Sequence, residues 1–235
     1  MPAVSTIIPA DSATSRTTPG KEPKTVVVMG AARGGTSMVA GLVRMLGIPM
    51  GGRIDPPTNE DLDFIEGKEP LPAVPNPKHP EHTRVLERLL GLVNTRNQEY
   101  RDWGWKDPLA FVYVAPLLSQ LRNPHFVVVF RDLYSISARE LLATGVETLD
   151  TLTRAQNNYA WLLEVLKRRE APALITGYEK AVLYPKKFAG ELCSFLGHDP
   201  SKAFLDAAER YIRPGRGHGE LPHTSTAPGR QAPEQ

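Results

Sequence analysis

The sequence predicts an α/β domain of three layers, with a central, mainly parallel sheet flanked by helices. Strand-like and helix-like segments alternate between residues 25 and 213. The strand-like runs TVVVMG (25–30), HFVVVFRD (125–132) and APALITGY (171–178) are apolar at consecutive positions, which suits strands covered on both faces. The runs between them repeat apolar residues at helical spacing.

Each element follows from its residues. TVVVMG is a β-branched run, and SMVAGLVRMLG (37–47) is a helix with Gly47 as its stop, so the two form a β-loop-α unit. In 150–170, Leu152, Ala155, Tyr159, Leu162, Leu163 and Leu166 share one helical face. YPKKFAGELCSFLG (184–197) is a further helix ending at Gly197. WGWK (103–106) is too short for periodicity to classify.

Three segments differ in composition. Residues 1–24 and 214–235 are rich in Pro, Ser, Thr and Gly, with too little apolar surface to offset ordering entropy. They are expected to be a disordered N-terminal arm and a flexible C-terminal tail, leaving 25–213 as the folded domain. The 28 Lys+Arg against 26 Asp+Glu give a net charge of +2, too small for a nucleic-acid surface, so any anion site must be local. No run of about 18 apolar residues predicts a transmembrane segment, and the N-terminus lacks the basic start and apolar run of a secretory signal. The single cysteine, Cys193, excludes an internal disulfide, suits a cytoplasmic chain, and by its apolar neighbours Leu192 and Phe195 reads as a packed thiol.

The loop GAARGGTS (Gly30–Ser37) follows the first strand of the β-loop-α unit, where amides and a helix N-terminus face any anion at the sheet's carboxyl edge. It matches the phosphate-loop pattern GxxxxGK(S/T) at Gly30, Gly35 and Ser37, but Thr36 replaces the lysine that reaches the outer phosphates of a nucleoside triphosphate. Glycines for close approach and Arg33, Thr36 and Ser37 as donors suit a smaller terminal anion with no obligatory metal. A ligand-free turn would also tolerate these residues.

In order, ARGGTS, WGWKDP (103–108), VVVFRDLYSISARE (127–140) and YEKAVLYPKKFAGELCSFLG (178–197) resemble the bacterial branch of the sulfotransferases that use 3′-phosphoadenosine 5′-phosphosulfate (PAPS). The resemblance covers about residues 25–200. It implies a P-loop-like fold, PAPS as donor co-substrate and PAP as product. It places Arg33, Gly34, Gly35, Thr36 and Ser37 around the 5′-phosphosulfate, Lys106 beside the transferred group, Arg131 on the 3′-phosphate and Tyr178 near adenine. Where the family carries a serine further along the helix this chain has Arg139, so Ser137, less readily Ser135, or Arg139 itself would complete the 3′-phosphate site. Leu133 replaces the usual proline. Trp103 and Trp105 suit a core or pocket wall.

The acceptor would be a small molecule or glycan bearing a hydroxyl or amine, and its proton needs a base. Related enzymes carry an acidic residue in the region corresponding to 51–70, which makes Glu60 the candidate, with His79 and His82 as the alternative. The Pro-rich stretch 55–80 reads as an acceptor loop. Two other functions compete: a small-molecule kinase with an atypical phosphate loop, and an inactive nucleotide-binding interaction protein.

Overall fold

The computed structural model describes residues 3–11, 22–72, 75–76, 78–168 and 170–213. In chain order its strands and helices are β1 (Ser5–Ile8), β2 (Thr25–Met29), α1 (Thr36–Met45), β3 (Ile54–Asp55), β4 (Glu60–Asp61), α2 (Leu62–Gly67), α3 (His82–Glu99), β5 (Trp103–Lys106), α4 (Val114–Leu117), β6 (Pro124–Phe130), α5 (Leu133–Thr144), α6 (Thr148–Lys167), β7 (Ala173–Gly177), α7 (Tyr178–Leu183), α8 (Pro185–Phe195) and α9 (Lys202–Tyr211). The central sheet runs β1-β7-β6-β2-β5, parallel except for β1.

The consecutive valines of β2 and β6 divide between two cores because successive side chains point to opposite faces. Val26, Val28, Val127 and Val129 pack with Met38 and Leu42 of α1, Phe188 and Leu192 of α8, and Tyr211 of α9. Val27, Met29 and Val128 pack on the other face with Leu89 and Val93 of α3, Trp105 of β5 and Leu162 of α6. This produces the three predicted layers. WGWK, which periodicity leaves undecided, is a buried strand in parallel register with β2, Val28 opposite Lys106. On α6 the buried face includes Thr151 and Asn158, whereas Leu163 points outward.

The expected disordered arm is corrected over residues 5–8. Thr6, Ile7 and Ile8 favour extended backbone, and β1 adds antiparallel to β7 at the sheet edge. Glu191 of α8 accepts from the Val4 and Ser5 amides at 3.2 and 2.8 Å. The tail expected over 214–235 lies outside the described residues. Cys193 is a buried free thiol, and burial raises its pKa. No helix among the described residues is long and apolar enough to cross a membrane.

The stretch read as an irregular acceptor loop begins with structure: β3 and β4 form a hairpin, and α2 follows directly. Asp61 caps α2 by accepting from the Asp63 amide at 3.0 Å. Its other carboxylate oxygen is buried without a hydrogen-bond partner. Burial pushes Asp61 up to about 6, against the pull of Arg96. Its charged form is therefore unfavourable in the fold, a penalty that grows as pH rises from the ordinary 3.8 and is complete above about 6. At about 1.4 kcal/mol per pH unit, the full penalty is about 3 kcal/mol. Asp61→Asn keeps a capping oxygen and removes the charge. It should stabilise the protein at pH 7.5 and leave it nearly unchanged near pH 3.8; a pH-independent difference in urea unfolding would refute this.

Candidate active site

The chain leaves β2 toward β5 on one side and then returns to β6 on the other, so the loop after β2 opens where the connections diverge. Its shape depends on small residues. Gly34 N donates to Ala31 O at 2.9 Å, and Arg33 and Gly35 have φ of 60° and 96°. A Cβ on Gly35 would lie 2.3 Å from the Tyr178 ring, so glycine serves both the left-handed backbone and the close approach. Gly35 caps α1, whose own first turn carries no acidic residue, and the positive end of the helix faces the space in front of it.

In front of this helix end lies a cleft of about 360 Å³. It brings together Arg33, Gly35, Thr36 and Ser37 of the loop with Glu60, Lys106, Arg139 and Tyr178. Lys106, the last residue of β5, is 2% exposed and donates to Glu60 Oε1 at 2.6 Å. Burial lowers the Lys106 pKa, opposed first by Glu60 and then by Asp107 and Asp55. Asp107 instead pairs with Lys68 at 2.7 Å and accepts from Tyr113 at 2.9 Å. Trp105 donates to Tyr113 at 3.1 Å and stacks on Phe64 at 4.4 Å, which makes it part of the core that anchors β5.

Glu60 is held there by a residue that sequence reading passes over. Asn59 is buried with φ 57°, donates to Ser37 O at 3.1 Å and accepts from Arg44 at 2.5 Å. It thereby pins the β3–β4 hairpin to α1. The turn DPPTN carried the available signal, since asparagine tolerates left-handed backbone.

The expected 3′-phosphate residues separate. Ser137 is corrected: it is fully buried, and its hydroxyl donates to Thr148 O at 3.0 Å, tying α5 to α6. Arg131 lies behind the cleft wall, 4.4 Å from the Tyr178 ring centre, and donates to Arg33 O at 2.9 Å. Its ion-pair partner is Glu179, at 3.8 Å. Arg139 is exposed in the cleft and forms no ion pair among the described residues. His79 and His82 sit before and at the start of α3, and neither lines the cleft.

A second cavity, about 390 Å³, shares Ala32, Glu60 and Pro108 with the cleft. Ile65, Leu71, Leu109 and Val112 give it apolar walls. Glu60 therefore stands between a cleft rich in anion donors and a mostly apolar chamber that Lys68, Glu69 and Asp107 also line.

Scans of protein-family models and of curated proteins find no match. Among solved structures, the chain is similar to the sulfotransferase domain of the Synechococcus PCC 7002 olefin synthase, with a TM-score of 0.52 and 15% identity over 86% of this chain and 82% of that one. It is also similar to retinol dehydratase in complex with androsterone and the inactive cofactor PAP, with a TM-score of 0.50 and 15% identity over 82% of this chain. There it spans 65% of the relative's length. At these identities the likeness is one of fold, shared with the olefin synthase's sulfotransferase domain and with retinol dehydratase.

Proposed function

We propose that this protein is a PAPS-dependent sulfotransferase acting on a small-molecule alcohol or amine. The observation that carries this reading is the Lys106–Glu60 pair at the junction of the two cavities. On one side the loop amides, Arg33, Thr36 and Ser37 would hold the 5′-phosphosulfate. On the other, the walls of Ile65, Leu71, Leu109 and Val112 favour a small molecule over a glycan, most of whose hydroxyls would lose water without gaining partners. Asp107 in that chamber is already engaged by Lys68, Tyr113 and the Leu109 amide.

Transfer would form an oxygen–sulfur or nitrogen–sulfur bond to the acceptor and break the bond from sulfur to the bridging oxygen. The electron pair of the breaking bond stays on PAP, where Lys106 opposes the growing charge. The acceptor's proton passes to Glu60. Positioning and charge stabilisation dominate such a loose transition state, by analogy with phosphoryl transfer. A single buried, unpaired cysteine suits a cytoplasmic setting for this work.

For the 3′-phosphate, the exposed Arg139 is favoured over Arg131, whose guanidinium is committed to Tyr178 and Arg33 O. Calorimetric titration should show PAP binding more tightly than AMP. Arg139→Ala should remove about ten- to a hundredfold of that preference, the worth of one charge-assisted bond. Arg131→Ala should weaken both nucleotides together by loosening the loop. Tighter binding of magnesium ATP than of PAP would favour the kinase reading. PAP binding without sulfuryl transfer to any apolar alcohol or amine would favour the inactive binding protein.

A further inference from the structure

Arg33 is the one basic side chain in the loop from Gly30 to Ser37, and a carboxylate already holds it. Its Nε donates to Glu140 Oε2 at 3.0 Å, while the other oxygen of Glu140 accepts from Arg154 of α6 at 3.3 Å. Glu140 lines the cleft beside Arg139, and its side chain is 16% exposed against 43% and 49% for the two arginines. The backbone of Arg33 is fixed independently, with φ at 60° and its carbonyl bound by Arg131. Only its side chain is free to change partner.

A carboxylate on a guanidinium occupies the position that an oxygen of phosphate or sulfate would take. We infer that Glu140 is a built-in competitor for the anion at this loop. The incoming anion takes Arg33, Arg154 retains the displaced carboxylate, and Glu140 returns to Arg33 as the product leaves. The exchange is easy because a pair with a half-exposed arginine is weak. Two arginines share one carboxylate, so a positive charge remains to attract the anion. Once the anion is seated, the nearby negative charge of Glu140 opposes it and hastens release, a step that limits many enzymes. This inference rests on the reading of the loop as an anion site.

Glu140→Gln and Arg154→Ala test it when each is titrated with inorganic pyrophosphate, PAP and AMP. A purely structural bridge between the loop, α5 and α6 would make both variants bind more weakly. Competition predicts opposite signs: Glu140→Gln should bind pyrophosphate and PAP about three- to tenfold more tightly, and Arg154→Ala should bind them more weakly. In the Glu140→Gln background, adding Arg154→Ala should then matter much less, since there is no displaced carboxylate to receive. Unchanged or weakened pyrophosphate binding in Glu140→Gln would overturn the inference. Pyrophosphate reads the loop without any nucleoside, so tighter pyrophosphate with equal PAP and AMP affinity would uphold the competitor and remove the PAPS assignment. A PAP preference with no gain in Glu140→Gln would do the reverse.

Discussion

Lys106→Ala should lower turnover by about a hundredfold or more while changing PAP affinity far less. The side chain is 2% exposed and reaches the cleft from the end of a central-sheet strand, with Glu60 as its ion-pair partner. In the unliganded protein, that partner already neutralises it. Its contribution therefore grows as the bridging oxygen gains charge in the transition state, which is the condition for raising rate more than affinity. Lys106→Arg should not rescue activity, because the larger planar guanidinium does not fit the buried slot that a lysine stem fills and cannot place its charge at the same point. The pH profile gives a second readout. Burial lowers the lysine pKa from its ordinary 10.5, so activity should fall on the alkaline side before free lysine would lose its proton. Wild-type sulfation kinetics in Lys106→Ala would remove this residue from the mechanism.

Glu60→Gln should reduce transfer by about a hundredfold or more and leave PAP binding largely intact. The amide preserves shape and can still accept from Lys106, but cannot take the acceptor's proton. Glu60→Asp separates this role from simple charge balance, since it keeps the negative charge and draws it back by one methylene. It should also lose most of the rate. Retained activity in Glu60→Gln, together with its loss on substitution of His79 or His82, would give the base role to the histidine.

The strands of the parallel sheet were legible because both faces are covered, so Val26 to Met29 and Phe126 to Val129 are apolar without alternation. The position of Lys106 was not legible from periodicity. Four residues, WGWK, contain no repeat to measure, and only the family resemblance marked the lysine. The two-residue strands around Asn59 are set by a turn and by contacts with α1, neither of which leaves a hydrophobic pattern. Ser137 looked available because the phase of α5 about its own axis is decided by packing on α6, and that packing turns Ser137 inward and Arg139 outward. The same limit explains why Leu163 was placed in the core and Asn158 was not.

The antiparallel edge strand has a consequence for assembly. Val4 and Thr176 are 172 positions apart, so Ser5–Ile8 is synthesised well before the strand that receives it. From its own synthesis until Ser5–Ile8 docks, β7 presents an open row of backbone donors and acceptors, and a neighbouring molecule carries the same four-residue segment. Closing so long a loop costs little more than closing one half as long, so a chain's own segment still acts as a high local concentration of the correct partner. Dilute refolding therefore favours self-completion. Crowded refolding favours reciprocal strand exchange, with each copy finishing the other's sheet and Glu191 receiving amides from the wrong chain.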